Sequence, residues 1–353
     1  MDLPTLWFLL IAVFWAGYLV LEGFDFGVGM LLPVLARTPA ERDAMVRTFG
    51  PVWDGNEVWL LVAGGATFAA FPGWYAAMFS ALYLPLLILL VALILRVLAI
   101  EYRRKQQDDE LWTARWDRVL TVTSFVAPAM VAAALANVVR GIPMDGNSDP
   151  TGNLLDLLSP YALLGIVAVL GLFALHGATF LGIRTEGVLR ERSRAMALRL
   201  WPVVTVLAAA FALWSLLGQG RGLTIIGVVA TLLAVAGLVT TGVALLKDRE
   251  PLAFAGTVGT ILAAALLLFG QVWPNVLPST DDPAGTLTIA QAASSPYTLK
   301  VMTWVAVLIA PVVFLYEAWS YWVFRERVSA EAFEDARTPL EAVGKRLRGE
   351  EAR

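Results

Sequence analysis

Apolar residues run along the chain in long blocks, and short polar, often basic, segments separate them. A helix needs about 20 apolar residues to cross the hydrocarbon core of a bilayer. Nine blocks reach or approach that length: 6–35, 52–71, 75–100, 119–139, 160–183, 201–217, 223–246, 252–273 and 301–324. The pattern predicts an all-α integral membrane protein of about nine transmembrane helices. The first and third blocks are long enough to tilt or project. The sixth is the shortest.

The connecting segments sort by charge. Twenty-two of the 26 Lys and Arg fall in the first, third, fifth and seventh loops and in the tail from Arg325. The opposite side holds Arg140, Arg221 and Lys300, and Arg96 lies inside a span. Basic loops stay in the cytoplasm, so this alternation puts the N-terminus outside and the C-terminus inside, and it requires an odd number of spans. A transmembrane domain over 1–325 and a charged cytoplasmic tail over 326–353 follow. Two outer segments, 141–159 and 274–300, are polar and rich in turn residues, and they are expected to be ordered by packing on neighbours.

Composition agrees with a bilayer as solvent: 58% of the 353 residues are apolar and 16% charged. There is no cysteine and one histidine, His176. That rules out disulfides, thiolate metal sites, iron–sulfur clusters and a bis-histidine haem within this chain. His176 itself reads as a buried, hydrogen-bonded histidine ahead of a haem or metal ligand. No cleavable signal peptide is expected, since the first residues carry no Lys or Arg and the apolar run that follows is too long.

Acids inside the spans change the picture, because a charge in hydrocarbon costs at least ~2.5 kcal/mol and such residues usually face an interior, a partner or water. Glu22 and Asp25 lie in the first span, Asp54 and Glu57 in the second, Arg96 and Glu101 in or at the end of the third, and Glu317 in the ninth; Asp117 opens the fourth. At ~1.5 Å per residue Asp25 lies roughly 28 Å along its helix, so every one of these carboxylates falls in the cytoplasmic half. Glu22 with Asp25, and Asp54 with Glu57, are three apart and share a helix face. A purely structural reading pairs Glu101 with Arg96 and lets Glu22 and Glu317 snorkel to the inner headgroups. The functional reading is a proton entry path, since protons hop between titratable groups and water. Gly23-x-x-x-Gly27 permits close helix packing, and Trp74, Tyr75, Trp112 and Trp116 sit where interfacial belts form.

Several strings carry a family resemblance. Gly23-Phe24-Asp25-Phe26-Gly27-Val28-Gly29 closes the first helix and Trp53-Asp54-Gly55-Asn56-Glu57-Val58-Trp59 opens the second. Ala63-Gly64-Gly65-Ala66 and Phe71-Pro72 follow, then Val301-Met302-Thr303-Trp304-Val305-Ala306-Val307 and Tyr316-Glu317-Ala318-Trp319-Ser320-Tyr321-Trp322. In that order, from about Leu6 to Arg325, they resemble subunit II of cytochrome bd-type quinol oxidases. The resemblance implies two four-helix units (6–139 and 160–273) and a peripheral ninth helix (301–324). It implies no redox centre in this chain, with the b and d haems in a partner subunit I of a bacterial or archaeal cell membrane. It also implies a groove for a quinone or lipid, and a cytoplasmic proton path whose residues match here as Asp54, Glu101, Lys105 and Asp117, with Asp25 and Glu57 as further candidates. The position of Glu101 is often aspartate in relatives, which preserves the charge. Expected partners are subunit I, membrane lipids and, through the complex, quinol; nucleic acid is not among them. Ubiquinol or menaquinol, and the presence of a small accessory subunit, stay open.

Two other classes remain. A proton-coupled secondary transporter favours broken helices in two halves and polar residues near the midplane, whereas these acids lie to one side. A structural scaffold leaves Asp25 and Asp54 without a purpose.

Overall fold

The computed structural model describes residues 2–106, 109–218 and 223–330. Arg221 and all but the start of the charged tail lie outside them. In chain order come α1 (Leu3–Leu35), α2 (Pro39–Phe49), α3 (Trp53–Ala70), α4 (Pro72–Ala81), α5 (Tyr83–Tyr102), α6 (Glu110–Arg140), α7 (Pro160–Arg184), α8 (Gly187–Leu217), α9 (Ile225–Leu246) and α10 (Glu250–Val272). A short antiparallel hairpin, β1 (Asn275–Leu277) and β2 (Leu287–Thr288), then leads through α11 (Ile289–Ala292) to α12 (Pro296–Val323).

Among the described residues eight helices are long and apolar enough to cross a membrane: α1, α5 to α10 and α12. α3, the second predicted span, is the ninth long helix of the bundle; its polar opening, Asp54, Asn56 and Glu57, keeps it out of that set. The third predicted span is broken at Leu82 into α4 and α5. Pro85, with no N–H to give to the carbonyl four residues back, sits in the first turn after the break. α6 and α8 begin earlier than the apolar blocks do, at Glu110 and Gly187, because arginine is a good helix former and the helices simply run on out of the apolar zone. α2 was not foreseen, though Thr38 and Glu41 form a capping box at its start.

Like α2, where Pro39 follows Thr38, three further helices open on a capping side chain with a proline close behind. Asp2, Ser159 and Ser295 accept the N–H of Thr5, Ala162 and Thr298, and each helix has proline in its first two positions. The cap satisfies an orphan donor and the proline occupies a site whose N–H needs no partner.

α1 is the centre. From Glu22 to Leu32 every residue is buried, so the helix is enclosed on all sides, by α3, α6, α7 and α10. Its glycines set the distances. A Cβ at Gly27 would lie 2.0 Å from the Phe173 carbonyl oxygen and 2.8 Å from the Gly177 Cα, so α1 and α7 touch backbone to backbone. Apolar side chains gain little by leaving lipid for protein, so close packing through small residues is what holds such helices together. The first four long helices and the next four repeat one adjacency: α1 packs on α3 and α6, and α5 on α6; α7 packs on α8 and α10, and α9 on α10. α12 stands apart, burying only Leu299.

The two polar segments, 141–159 and 274–300, order each other. The Ile142 N–H donates to Pro278 O at 3.0 Å and the Thr280 N–H returns to Ile142 O at 3.1 Å.

Candidate functional site

The string Gly23-Phe24-Asp25-Phe26-Gly27 divides its work by helix face. Gly23 and Gly27 meet Phe173 and Gly177 on α7, which leaves Asp25 facing α3. The α3 stripe that faces inward is Asn56, Ala63, Thr67 and Ala70. Asn56 is fully buried, and its Nδ2 donates to Asp25 Oδ2 at 2.9 Å. From α12 the Tyr321 hydroxyl donates to Asn56 Oδ1 at 2.5 Å. One amide thus ties α12 to α1 through α3.

One turn toward the N-terminus of α1, Glu22 meets Arg96 of α5, Oε1 to Nη1, at 2.6 Å, and both side chains are closed to solvent. The contact is ionic rather than an aligned hydrogen bond. The guanidinium stacks over Phe26, 4.7 Å from its centroid, with Phe49 of α2 behind it at 5.8 Å. Buried polar atoms left without a hydrogen bond among the described residues gather here: Glu22 Oε2, Asp25 Oδ1, Glu57 Oε2, the Tyr18 hydroxyl and Arg96 Nε and Nη2. Glu57 is half-buried and also borders an apolar groove of about 760 Å³ between α3, α5 and α6.

Asp54 is exposed in the first turn of α3, where the helix dipole favours a negative charge. Glu317 of α12 lies across Gly55, close enough that a Cβ there would be 2.7 Å from its Oε1. Asp54, Glu317 and Glu57 therefore line up along the α3 opening.

Asp117 is elsewhere, well inside α6 rather than at its start. It accepts from Arg103 Nε at 2.9 Å, while Arg103 Nη1 holds Asp43 of α2 at 2.7 Å. Glu101 and Lys105 are exposed. Burial lowers the pKa of Arg104, and the Glu101 carboxylate acts against it.

His176 is fully buried against Phe254, ring centroids 4.7 Å apart and 6° from parallel. Its Nε2 reaches Val20 O at 3.1 Å and its Nδ1 reaches Thr257 Oγ1 at 2.7 Å. Both ring nitrogens of His176 are thus engaged inside the bundle.

A family model for cytochrome bd terminal oxidase subunit II matches residues 3–324. The chain belongs to that family. Cytochrome bd ubiquinol oxidase subunit 2 of Bacillus subtilis is 39% identical over 331 residues, covering 93% of this chain and 97% of that protein. Cytochrome bd-I ubiquinol oxidase subunit 2 of Escherichia coli K12 is 35% identical over 370 residues, covering 94% and 97%. A solved bd oxidase from Geobacillus thermodenitrificans superposes with a TM-score of 0.68 at 19% identity, over 90% of this chain and 98% of that one, and so shares the fold. The secondary-transporter reading gives way to this membership.

Two expectations are corrected. Arg96 pairs with Glu22 and not with Glu101, because residues five apart on a helix point about 140° away from each other. Glu22 does not snorkel to a headgroup, since its carboxylate is sealed in the bundle. Asn56 and Tyr321 were missed as site residues: an uncharged polar side chain inside a span costs less than an ionised one and so stands out less. Asn56 stood within Trp53-Asp54-Gly55-Asn56-Glu57, where a buried amide beside two acids was the available signal.

Proposed function

We propose that this chain is the non-haem subunit II of a quinol:oxygen oxidoreductase. It is seated in a cell membrane against a haem-bearing subunit I, N-terminus outside, and admits protons from the cytoplasmic side. Reducing one O₂ to two waters takes four electrons and four protons. A haem buried in a partner receives its protons through titratable groups and water, not through hydrocarbon.

The observation that carries the reading is the run of acids along α3 and α1. Asp54 is open to solvent, Glu57 is half-buried beside a groove, and Glu22 and Asp25 are sealed with unpartnered oxygens. Lys105 collects protons at the surface, Glu101 relays them with Asp117, buried and held by Arg103, behind it, and Asp54 passes them to Glu57 and the buried pair. The partner's seat is the side on which α3, α5 and α12 lie. α3 is too polar to face lipid alone, and α12 buries one residue in this chain. The groove beside Glu57, walled by Leu60, Phe68, Leu86 and Leu90, suits a quinone or lipid tail.

The test is Asp54→Asn in the assembled complex. The amide keeps the shape and hydrogen bonding and cannot titrate, so turnover falls while haem content stays at the wild-type level, and Asp54→Glu retains part of the activity. Wild-type turnover with normal assembly would put the route elsewhere.

A further inference from the structure

At the basic end of the bundle, where α7 and α12 finish and α10 begins, a cavity of about 370 Å³ opens between α1, α7, α10 and α12. Its wall is apolar: Val20, Leu21 and Phe24 from α1, Phe180 and Ile183 from α7, and Phe254 from α10. Two arginines, Arg184 and Arg325, stand among its lining residues, and no Asp or Glu does.

The surrounding arginines are committed. Arg190 pairs with Glu250 at 2.7 Å, Arg192 with Glu41 at 2.9 Å, Arg194 with Asp248 at 3.0 Å, and Arg327 donates to Thr185 O at 3.2 Å. Arg184 differs. It is half-buried, and among the described residues its guanidinium has neither an ion pair nor a hydrogen bond. Arg325 is held in place, stacked 4.5 Å over Trp322 with one Nη1 bond to the Trp322 carbonyl, and keeps its other donors. The rim is fixed as well: the Val328 N–H donates to Arg184 O at 2.8 Å and the Glu186 N–H to Val328 O at 3.3 Å, so the segment after α12 is stitched to the α7–α8 turn.

We infer that this cavity binds an anionic phospholipid, its phosphate gripped by Arg184 and Arg325 and the start of an acyl chain lodged among Val20, Phe24, Ile183 and Phe254. Two guanidiniums give a phosphate charge-assisted, fork-shaped hydrogen bonding. Basic pockets between helices at the cytoplasmic side are where acidic headgroups settle. The apolar throat accounts for a tail, which a free phosphate lacks. The absence of a carboxylate in the lining disfavours the ammonium of a zwitterionic headgroup. Tyr321 also lines the cavity and donates to Asn56, so the lipid would lie directly against the hydrogen-bonded chain that ends on Asp25. The inference needs the chain to sit in a membrane but does not need the acids to conduct protons.

The test uses the whole oxidase complex, washed in detergent and equilibrated with phosphatidylcholine vesicles containing phosphatidylglycerol. Native mass spectrometry then counts retained lipid. The wild-type complex keeps a phosphatidylglycerol that the Arg184→Gln, Arg325→Gln double variant loses, and Arg184→Gln alone weakens retention about tenfold, as expected for one charge-assisted bond. Ile183→Trp, which fills the throat and leaves both charges, also expels it, and Arg115→Gln on the exposed face of α6 changes nothing. The proposal fails if retention is unchanged in the double variant and in Ile183→Trp, if phosphatidylcholine is held equally well, or if millimolar inorganic phosphate displaces the lipid from the wild-type complex.

Discussion

Arg96 and Glu22 face each other across the interior of the bundle at 2.6 Å, one from α5 and one from α1, and neither side chain touches solvent. A buried ion pair is weak evidence of stability, because desolvating two charges offsets most of their attraction. Losing one partner is a different matter, since the other is left charged and unpaired. The pair also joins the third predicted span to the central helix, which no apolar contact at that point would do with the same directionality.

Single and double substitutions separate these effects. Arg96→Met or Glu22→Gln alone is expected to cost about 3–5 kcal/mol and to lower the yield of assembled complex. Arg96→Met together with Glu22→Leu is expected to recover most of that loss. The measurement is the thermal midpoint of the purified complex in detergent. Single variants as stable as the wild type would mean that Glu22 is already neutral in the folded protein.

Gly27 marks the tightest helix crossing. A Cβ at that position would fall 2.0 Å from the Phe173 carbonyl, which is backbone and cannot swing aside. Gly27→Ala therefore forces α1 and α7 apart, and overpacking of this kind costs about 1–3 kcal/mol. Gly259→Ala on α10 is the control, because a Cβ there meets nothing within 4 Å. Gly27→Ala should assemble poorly while Gly259→Ala assembles normally; equal yields would show that α1 and α7 do not need contact at this point.

The general plan of this fold was legible because it depends on a quantity a sequence displays directly: the length of its apolar runs. What failed depends on geometry between elements. Pro85 sits in an unbroken apolar run, so the Leu82 break leaves no trace in hydropathy, and the arginine-rich start of α8 looks like a loop although Arg190 to Arg199 are helical. The acids could be read as acids, and their helix faces as well, since spacing along one helix fixes a face. Spacing says nothing of how one helix is rotated against another, so it could not tell that Arg96 would find Glu22, that Asp25 would find Asn56, or that Asp117 would be held by Arg103 beside Asp43.

Glu41, in the first turn of the short α2 between α1 and α3, gives the protein a pH-sensitive clasp. Burial pushes its pKa up, but the N–H of Arg37, the guanidinium of Arg192 and the N–H of Thr38 together outweigh burial and leave it below the ordinary value of 4.5. A carboxylate whose pKa is depressed by folding stabilises the fold above its unfolded value and loses that contribution as pH falls through the folded value. Glu41→Gln keeps a capping side chain but not the ion pair with Arg192. The wild type should thus melt above Glu41→Gln at neutral pH, and the gap should close on acidification below pH 4.5. A gap that persists there would assign the difference to shape rather than charge.

Asn56 is where structure and turnover can be told apart. Its amide donates to Asp25 and accepts from Tyr321, so it fixes both the acid and the position of α12. Tyr321→Phe removes only the outer bond, leaves Asp25 with its amide donor, and is expected to lower stability by about 1 kcal/mol. Asn56→Leu strips Asp25 of its donor inside the bundle, costs about 1–3 kcal/mol for the unsatisfied carboxyl, and favours the neutral acid. If Asp25 only braces the helices, both variants should turn over at rates that follow their content of assembled complex. If Asp25 carries protons, Asn56→Leu should turn over more slowly per assembled complex and shift the pH profile of activity alkaline, while Tyr321→Phe leaves that profile in place. Turnover per haem measured between pH 6 and 9 decides, and identical profiles for both variants would remove Asp25 from the route.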